Sequence, residues 1–399
     1  MKALTNTVAA VALTAAASTP ALANISDGKI KIGVLADMGG VYSDLCGPGC
    51  VTALKMAAED VGGEILGAPI EIVSADDQLK ADVGSAIVRK WVENEQVDAV
   101  GGLVSSAVVG AATKVLTDTK KIAMISTAAS NAFTTSACSP YNVHWTYNVT
   151  AMANGTVKPM VDAGKKKWFF ITADYAFGHA LESVATEVIE ANGGEVVGVV
   201  RAPLATTDFS SYVLQAQASG ADVVALANAG ADTVNALKAA TEFGLTEMVD
   251  VAGLLVFTPA AQAMDPDTAG GMRLTTGFYW DYDDQTREWS ERFRERTGSI
   301  PAMGHAGAYS MAMHYFRAIE AAGTDESDAV MAKMRELKPD DFFARNAHLR
   351  ADGRMVHDMY YAEIKPAAAR ASDDDIFKIL SVIPGDEAFA PMLPECNFN

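Results

Sequence analysis

Lys29-Ile30-Lys31-Ile32-Gly33-Val34-Leu35-Ala36 opens the pattern from which the architecture can be read. It is an apolar, β-branched run of strand length. A Gly/Pro turn follows at Gly39-Gly40 and Gly47-Pro48-Gly49, and Val51 to Val61 then reads as a helix. A strand that turns through glycines into a helix is the repeating unit of a parallel sheet wound by helices. The unit recurs outward from there. Pro69 to Ser74 is the next strand, with a helix from about Val83 to Glu93. Val97 to Val104, a helix from Val108 to Leu116, and Ile122 to Ser126 complete an expected lobe of four strands.

Cys138 to Asn148 interrupts the alternation with Tyr141, His144, Trp145 and Tyr147. Strand character restarts at Lys167 to Thr172 and returns at Val196 to Arg201, Val223 to Ala227, Val251 to Phe257 and Leu274 to Tyr279. These predict a second α/β lobe of similar size. Asp284 to Arg296 and Gly304 to Ala322 read as long helices separated by Pro301, the latter with a core stripe of Tyr309, Met313, Phe316 and Ile319. Met355 to Ile364 and Phe377 to Ile383 are strands again, too little for a third domain, so each completes one of the lobes.

The 399 residues, half of them hydrophobic and 20% charged, suffice for two packed lobes and exclude a disordered chain. Lys and Arg number 31 against 50 Asp and Glu, a net charge of −19. Such a surface repels phosphate backbones and anionic membranes, which argues against a nucleic-acid partner. Residues 1–23 read as a secretory signal: Lys2 is the positive region, Val8 to Ala17 the apolar stretch, and Ala21-Leu22-Ala23 the cleavage site. Position 24 is Asn, so no lipidated cysteine is expected there, and the product is predicted to be free in the periplasm. That compartment oxidises thiols. Cys46, Cys50, Cys138 and Cys396 allow three connectivities, among which the sequence does not choose. The pairing carried forward as an expectation is Cys46–Cys50 with Cys138–Cys396.

Machinery for catalysis is not visible. Gly47-Pro48-Gly49-Cys50-Val51-Thr52 holds two glycines of G-x-G-x-x-G but not the third, and G-x-x-x-x-G-K-[ST], G-x-S-x-G and H-E-x-x-H do not occur. Cys46 and Cys50 lack a second close Cys/His pair of zinc-ligand spacing. Asp76-Asp77, Asp283-Asp284 and Asp373 to Asp375 read as solvated acids at strand ends and helix starts. No enzyme activity, cofactor or metal is therefore expected.

Small hydroxyl groups at strand ends are more informative, because open α/β sheets bind ligands there. Leu103-Val104-Ser105-Ser106-Ala107 runs from a strand into a helix, so Ser105, Ser106 and the amides after them can face an anion at the helix N-terminus. Ser126-Thr127-Ala128-Ala129-Ser130 repeats the arrangement one strand later. The competing role for Ser105, Ser106 and Ser130 is helix capping.

These clusters, the opening Ile32-Gly33-Val34-Leu35-Ala36-Asp37-Met38-Gly39-Gly40-Val41-Tyr42-Ser43, Asp76-Asp77-Gln78 and Asp174-Tyr175-Ala176-Phe177-Gly178 resemble the branched-chain amino-acid-binding family. Its members are extracytoplasmic solute receptors that feed ABC importers. The resemblance runs from about Lys29 to Ile364 and implies a type I periplasmic binding fold: two doubly wound Rossmann-like lobes joined by three crossovers. The first lobe would be 24–148 plus 283–355, the second 149–282 plus 356–399. By the resemblance, Ser105, Ala128 and Ser130 hold a ligand carboxylate, Tyr42 is a first-lobe cleft aromatic, and Phe177, with Tyr175 before it, closes from the second lobe.

The family's amino-acid binders also carry an acid for the ammonium on a second-lobe loop. Here Gly253-Leu254-Leu255 stands at that loop, with Leu255 in the acid's place. A buried ammonium without a counter-charge is heavily penalised. Asn228-Ala229-Gly230 replaces another cleft aromatic, and Trp145 is expected as a wall. The implied ligand is thus a small organic carboxylate with a flat or apolar body, first of all an aromatic acid of the benzoate or hydroxycinnamate type. Its partners would be the importer's membrane subunits, with the receptor a monomer. A shifted register in the second lobe would bring Asp232 or Asp250 to the ammonium end, and the protein would then bind a hydrophobic or branched-chain amino acid. Other classes weighed are an exported hydrolase and a sensor ectodomain.

Overall fold

The structure, a computed structural model, describes residues 24–398. The expected signal segment 1–23 lies outside the described residues. Two sheets organise the chain. The first contains β1 (Ile30–Ala36), β2 (Glu64–Ile65), β3 (Ala68–Asp76), β4 (Ala99–Gly102), β5 (Ile122–Ile125) and β6 (Asn142–His144), in the order β2-β3-β1-β4-β5-β6. From β3 to β6 all neighbours are parallel. The helices α1 (Gly47–Asp60), α2 (Ala81–Asn94) and α3 (Ser106–Asp118) connect them. Every residue of β1 is buried, as a central strand covered on both faces requires.

In the second lobe α4 (Val149–Asp162) leads to β7 (Lys167–Ala173), α5 (Ala176–Ala191), β8 (Glu195–Ala202), α6 (Ser210–Gln217), β9 (Val223–Ala227) and α7 (Ala231–Glu242). Then come β10 (Asp250–Gly253), the short helices α8 (Thr258–Ala263) and α9 (Pro266–Ala269), and β11 (Arg273–Thr276). The chain returns to the first lobe with α10 (Asp284–Thr297) and α11 (Met303–Ala322), which pack on α1, followed by α12 (Ser327–Glu336). A small hairpin of β12 (His348–Leu349) and β13 (Met355–Val356) precedes β14 (Met359–Ile364) and β15 (Phe377–Ile383). These last two join the second sheet antiparallel, giving β15-β14-β11-β10-β9-β7-β8.

The chain therefore passes between the sheets near Asn148, near Asp281 to Asp283 and beside His357. Two of these passages are bound side by side. Arg354, fully buried, donates to the carbonyls of Trp145 and Tyr147, and His357 Nε2 lies 2.6 Å from the carbonyl of Thr146.

Four expectations need correction. The first sheet has six strands, not four, because the aromatic-rich interruption itself supplies the three-residue β6 and a two-residue hairpin partner, β2, precedes β3. The strand expected over Val251 to Phe257 ends at Gly253, where the chain turns toward α8. The run Met355 to Ile364 is split, since His357 and Asp358 form the passage between lobes. The tail does not stay on the second lobe: Cys396 is bonded to Cys138 of the first, with Cα atoms 6.0 Å apart. The other disulfide joins Cys46 and Cys50, and both are the pairs expected.

Candidate functional site

The sharp end of β4 builds the first wall. Gly102 has φ of 78° and a Cβ there would stand 2.9 Å from the Leu35 carbonyl, so only glycine fits. Leu103 follows at φ 58°, and the chain is thrown into α3 with Val104 and Ser106 at the cleft and Ser105 buried between them. Ser105 is the N-cap residue but makes no side-chain capping bond. The hydroxyl of Ser106 is buried without a partner. One strand later, Ser126 Oγ donates to the Gly102 carbonyl at 2.9 Å, which ties the two loops together and sets Thr127 beside Ser106.

Asp37, at the end of β1, holds the next turn by accepting the amides of Gly40 at 2.7 Å and Tyr42 at 2.9 Å. This fixes Tyr42 at the cleft. Leu45 follows, immediately before the Cys46–Cys50 bridge at the start of α1. From the second lobe, Tyr175 and Phe177 enter at the start of α5, their rings 5.8 Å apart. Tyr42 Oη and Tyr175 Oη meet at 2.7 Å across the lobes.

Tyr42, Leu45, Val104, Ser106, Thr127 and Ala129 of the first lobe, Tyr147 at the first passage, and Tyr175, Phe177, Ala229 and Leu255 of the second enclose one cavity. Its volume is about 10 Å³, the space of a single water. The lobes are thus closed on one another. Burial raises the phenols of Tyr42, Tyr147 and Tyr175 well above the usual range, so all three are neutral donors at physiological pH. None of the eleven lining residues is charged. Among the described residues, no cluster of three His, Cys, Asp or Glu side chains is placed to hold a metal.

The structure brings together Tyr42, Ser106, Thr127, Tyr175, Phe177 and Leu255 of the residues singled out from sequence. Ser105 and Asn228 are buried beside them without lining the cavity. Three further residues singled out from sequence do not line this cavity. Ser130 caps the following helical turn, its hydroxyl accepting the Ala132 amide at 3.2 Å. Ala128 already spends both backbone groups, its amide on the Leu103 carbonyl and its carbonyl on His144 Nε2. Trp145 is core: its indole N–H donates to Ser310 Oγ at 3.0 Å and its ring packs on His314. The residues missed were Leu45 and Tyr147, the latter two positions on, whose hydroxyl donates to the Thr127 carbonyl. A polar-tipped aromatic at the passage between lobes was the available signal.

Two wound α/β lobes, three passages between them and an enclosed interlobe site define a receptor that closes around small solutes. The chain belongs to the periplasmic binding protein family, whose model matches residues 29–371. It is a solute-binding protein of the kind that serves ABC transporters. Among solved structures it is similar to a periplasmic binding protein from Burkholderia mallei, at 42% identity and TM-score 0.90 over 93% of this chain and 98% of that one. It is also similar to a branched-chain amino acid ABC transporter periplasmic ligand-binding protein from Burkholderia xenovorans LB400, at 36% identity and TM-score 0.83 over 91% and 97%. A curated relative, Leu/Ile/Val-binding protein homolog 6 of Brucella melitensis, is 25% identical over 81% of this chain and 83% of its own. The fold recurs in an ABC transporter solute-binding protein of Rhodopseudomonas palustris in complex with benzoate, at 21% identity and TM-score 0.81 over 92% of this chain and all of that one. No helix among the described residues is long and apolar enough to cross a membrane.

Proposed function

We propose that this protein captures a small organic carboxylate with an apolar body between its lobes, first of all an aromatic acid of the benzoate or hydroxycinnamate type. It works in the periplasm as a monomer and delivers the acid to an importer's membrane subunits. The observation that carries the reading is the composition of the cavity wall. Ser106 offers an unpartnered hydroxyl at the start of α3, where helix amides favour an anion. The remaining wall is Tyr42, Tyr147, Tyr175, Phe177, Leu255 and smaller groups, surfaces suited to a flat ring. The benzoate complex of the R. palustris protein, alike in fold, is in keeping with this.

A second reading, a hydrophobic or branched-chain amino acid, is favoured by two relatives, the B. xenovorans branched-chain amino acid ligand-binding protein and the B. melitensis Leu/Ile/Val-binding protein homolog. Thermal unfolding of protein refolded from denaturant separates the two. A ligand that binds only the native state adds about 4 kcal/mol at a thousandfold excess over Kd. A shift with benzoates or hydroxycinnamates but not with leucine or valine supports the first reading, and the reverse pattern supports the second. No shift with any small carboxylate overturns both.

A further inference from the structure

The turn that brings Tyr42 and Leu45 to the cavity is fastened at both ends. At its start the Asp37 carboxylate accepts the amides of Gly40 and Tyr42. At its end stands the Cys46–Cys50 disulfide, with both residues fully buried. Cys46 is the N-cap residue of α1 and makes no side-chain capping bond, and the first turn of that helix is Gly47-Pro48-Gly49-Cys50. Glycines are poor helix formers, so this helix start is weak by itself. The disulfide stands where a capping side chain would, alongside the Cys50 amide on the Cys46 carbonyl at 2.8 Å.

The bridge sits directly behind the cavity wall. Leu45 lines the cavity and is bonded in sequence to Cys46. Its carbonyl packs on the start of α11, where a Cβ on Gly304 would stand 2.3 Å from the Leu45 oxygen and 3.1 Å from Thr127 Oγ1, another wall atom. Cys50 Sγ lies 3.6 Å from the Gly304 carbonyl, and Cys46 Sγ lies 3.8 Å from Ser126 Oγ, the hydroxyl that ties the two serine loops together. The bridge therefore meets three of the segments that shape the first-lobe wall. It joins residues only 4 apart in sequence, against 258 for Cys138–Cys396, so it restricts the unfolded chain less. Its principal effect is local.

We propose that the Cys46–Cys50 disulfide is a positioning element of the cleft, holding the turn of Tyr42 and Leu45 so that the first-lobe wall and the Tyr42–Tyr175 latch are formed before a ligand arrives. The inference rests on the reading of this cavity as the ligand site. A wall already ordered spares binding the cost of fixing those side chains.

The test compares wild type with two double variants, Cys46→Ser with Cys50→Ser and Cys138→Ser with Cys396→Ser. Amide hydrogen exchange of the ligand-free proteins reads the turn through the Tyr42 amide, held by Asp37, and the Leu45 amide, held by the Tyr42 carbonyl. In the first variant both amides are expected to exchange about tenfold faster or more while those of β1 stay as in wild type, the mark of local opening. Calorimetric titration with whichever of benzoate, 4-hydroxybenzoate and leucine binds the wild type is expected to show affinity weakened by about tenfold or more, the order of fixing two wall side chains on binding. The second variant is expected to leave both readouts unchanged and to lose more stability in denaturant than the first. Unchanged exchange at Tyr42 and Leu45, faster exchange with undiminished affinity, or a first variant that fails to fold or is the less stable of the two overturns the proposal. If none of the three compounds binds the wild type, the carboxylate and amino-acid readings fall, and the exchange rates alone decide whether the bridge holds the turn.

Discussion

The hydroxyls of Tyr42 and Tyr175 lie 2.7 Å apart, one on the turn after β1 of the first lobe and the other at the start of α5 in the second. Their bond is a latch across the cleft. With about 10 Å³ enclosed behind it, entry of anything larger than a water requires the lobes to separate and the bond to break. One neutral hydrogen bond contributes a net of about 0.5–1.5 kcal/mol, so Tyr175→Phe is expected to move the open–closed balance roughly two- to twelvefold toward open. Interlobe distances from paired spin labels measure this directly. An unchanged distance distribution contradicts the latch.

Ser106 and Ser130 look alike in the sequence, yet they are placed differently: Ser106 lines the cavity with an unpaired hydroxyl and Ser130 caps a helical turn. Ser106→Ala is expected to weaken binding of the preferred acid by about 1.5–3 kcal/mol, the cost of a hydrogen bond to a charged group. Ser130→Ala removes a cap and is expected to lower stability by about 1 kcal/mol while sparing affinity. Calorimetry and thermal melting of the two variants, side by side, check the division. The opposite pattern assigns the carboxylate to the second serine loop.

Acid stability follows from buried groups of opposite sign. His305 is buried, and desolvation lowers it from 6.5 to about 4, so the unfolded chain binds its proton first. Its contribution is fully present above pH 6.5 and is lost as pH falls toward 4. Burial raises Asp77 and Asp232 from 3.8 to about 6, so their contribution is greatest below pH 3.8 and is lost as pH rises through 6. The two trends offset one another over the same window. Asp232→Asn deletes one of the compensating acids, so its melting temperature is expected to fall more steeply than that of the wild type between pH 6.5 and 4. Parallel curves contradict the assignment.

The Cys138–Cys396 disulfide joins residues 258 apart in sequence and returns the tail from the second sheet to the first lobe. Closing so long a loop restricts the unfolded chain strongly, and its removal by Cys138→Ser with Cys396→Ser is expected to cost about 2–5 kcal/mol. Denaturant unfolding of the double variant measures it. A loss well below 1 kcal/mol means the tail is held by its other contacts, such as the Phe389 ring against Arg354.

What the sequence discloses, and what it hides, has physical causes. Ile30 to Ala36 is legible because a strand buried on both faces is apolar apart from Lys31, whose ammonium reaches the Glu95 carbonyl. The Ser105-Ser106 turn is legible because Gly102 and the helix start are local features. Trp145 is misleading because its partner, Ser310, lies 165 residues away, and only packing reveals that its indole N–H is satisfied in the core. Ser130 and Ala128 depend on which short loop bonds close locally, which residue types alone do not fix. That Asp232 lacks a partner for one oxygen, while Asp250 pairs with Lys165, is a property of the assembled lobe and has no sequence signature.

Binding of a small carboxylate in the cavity walled by Ser106, Tyr175 and Leu255, as proposed, is open to direct measurement. Calorimetric titration of refolded protein with the acid that gives the largest thermal shift, repeated on Leu255→Glu, tests it most directly. The buried carboxylate introduced there repels an acid and lacks a counter-charge. Saturable binding of one acid per wild-type chain, lost by a factor of about a hundred or more in a folded Leu255→Glu variant, is the predicted result. Undiminished affinity in that variant would place the ligand elsewhere and contradict the account.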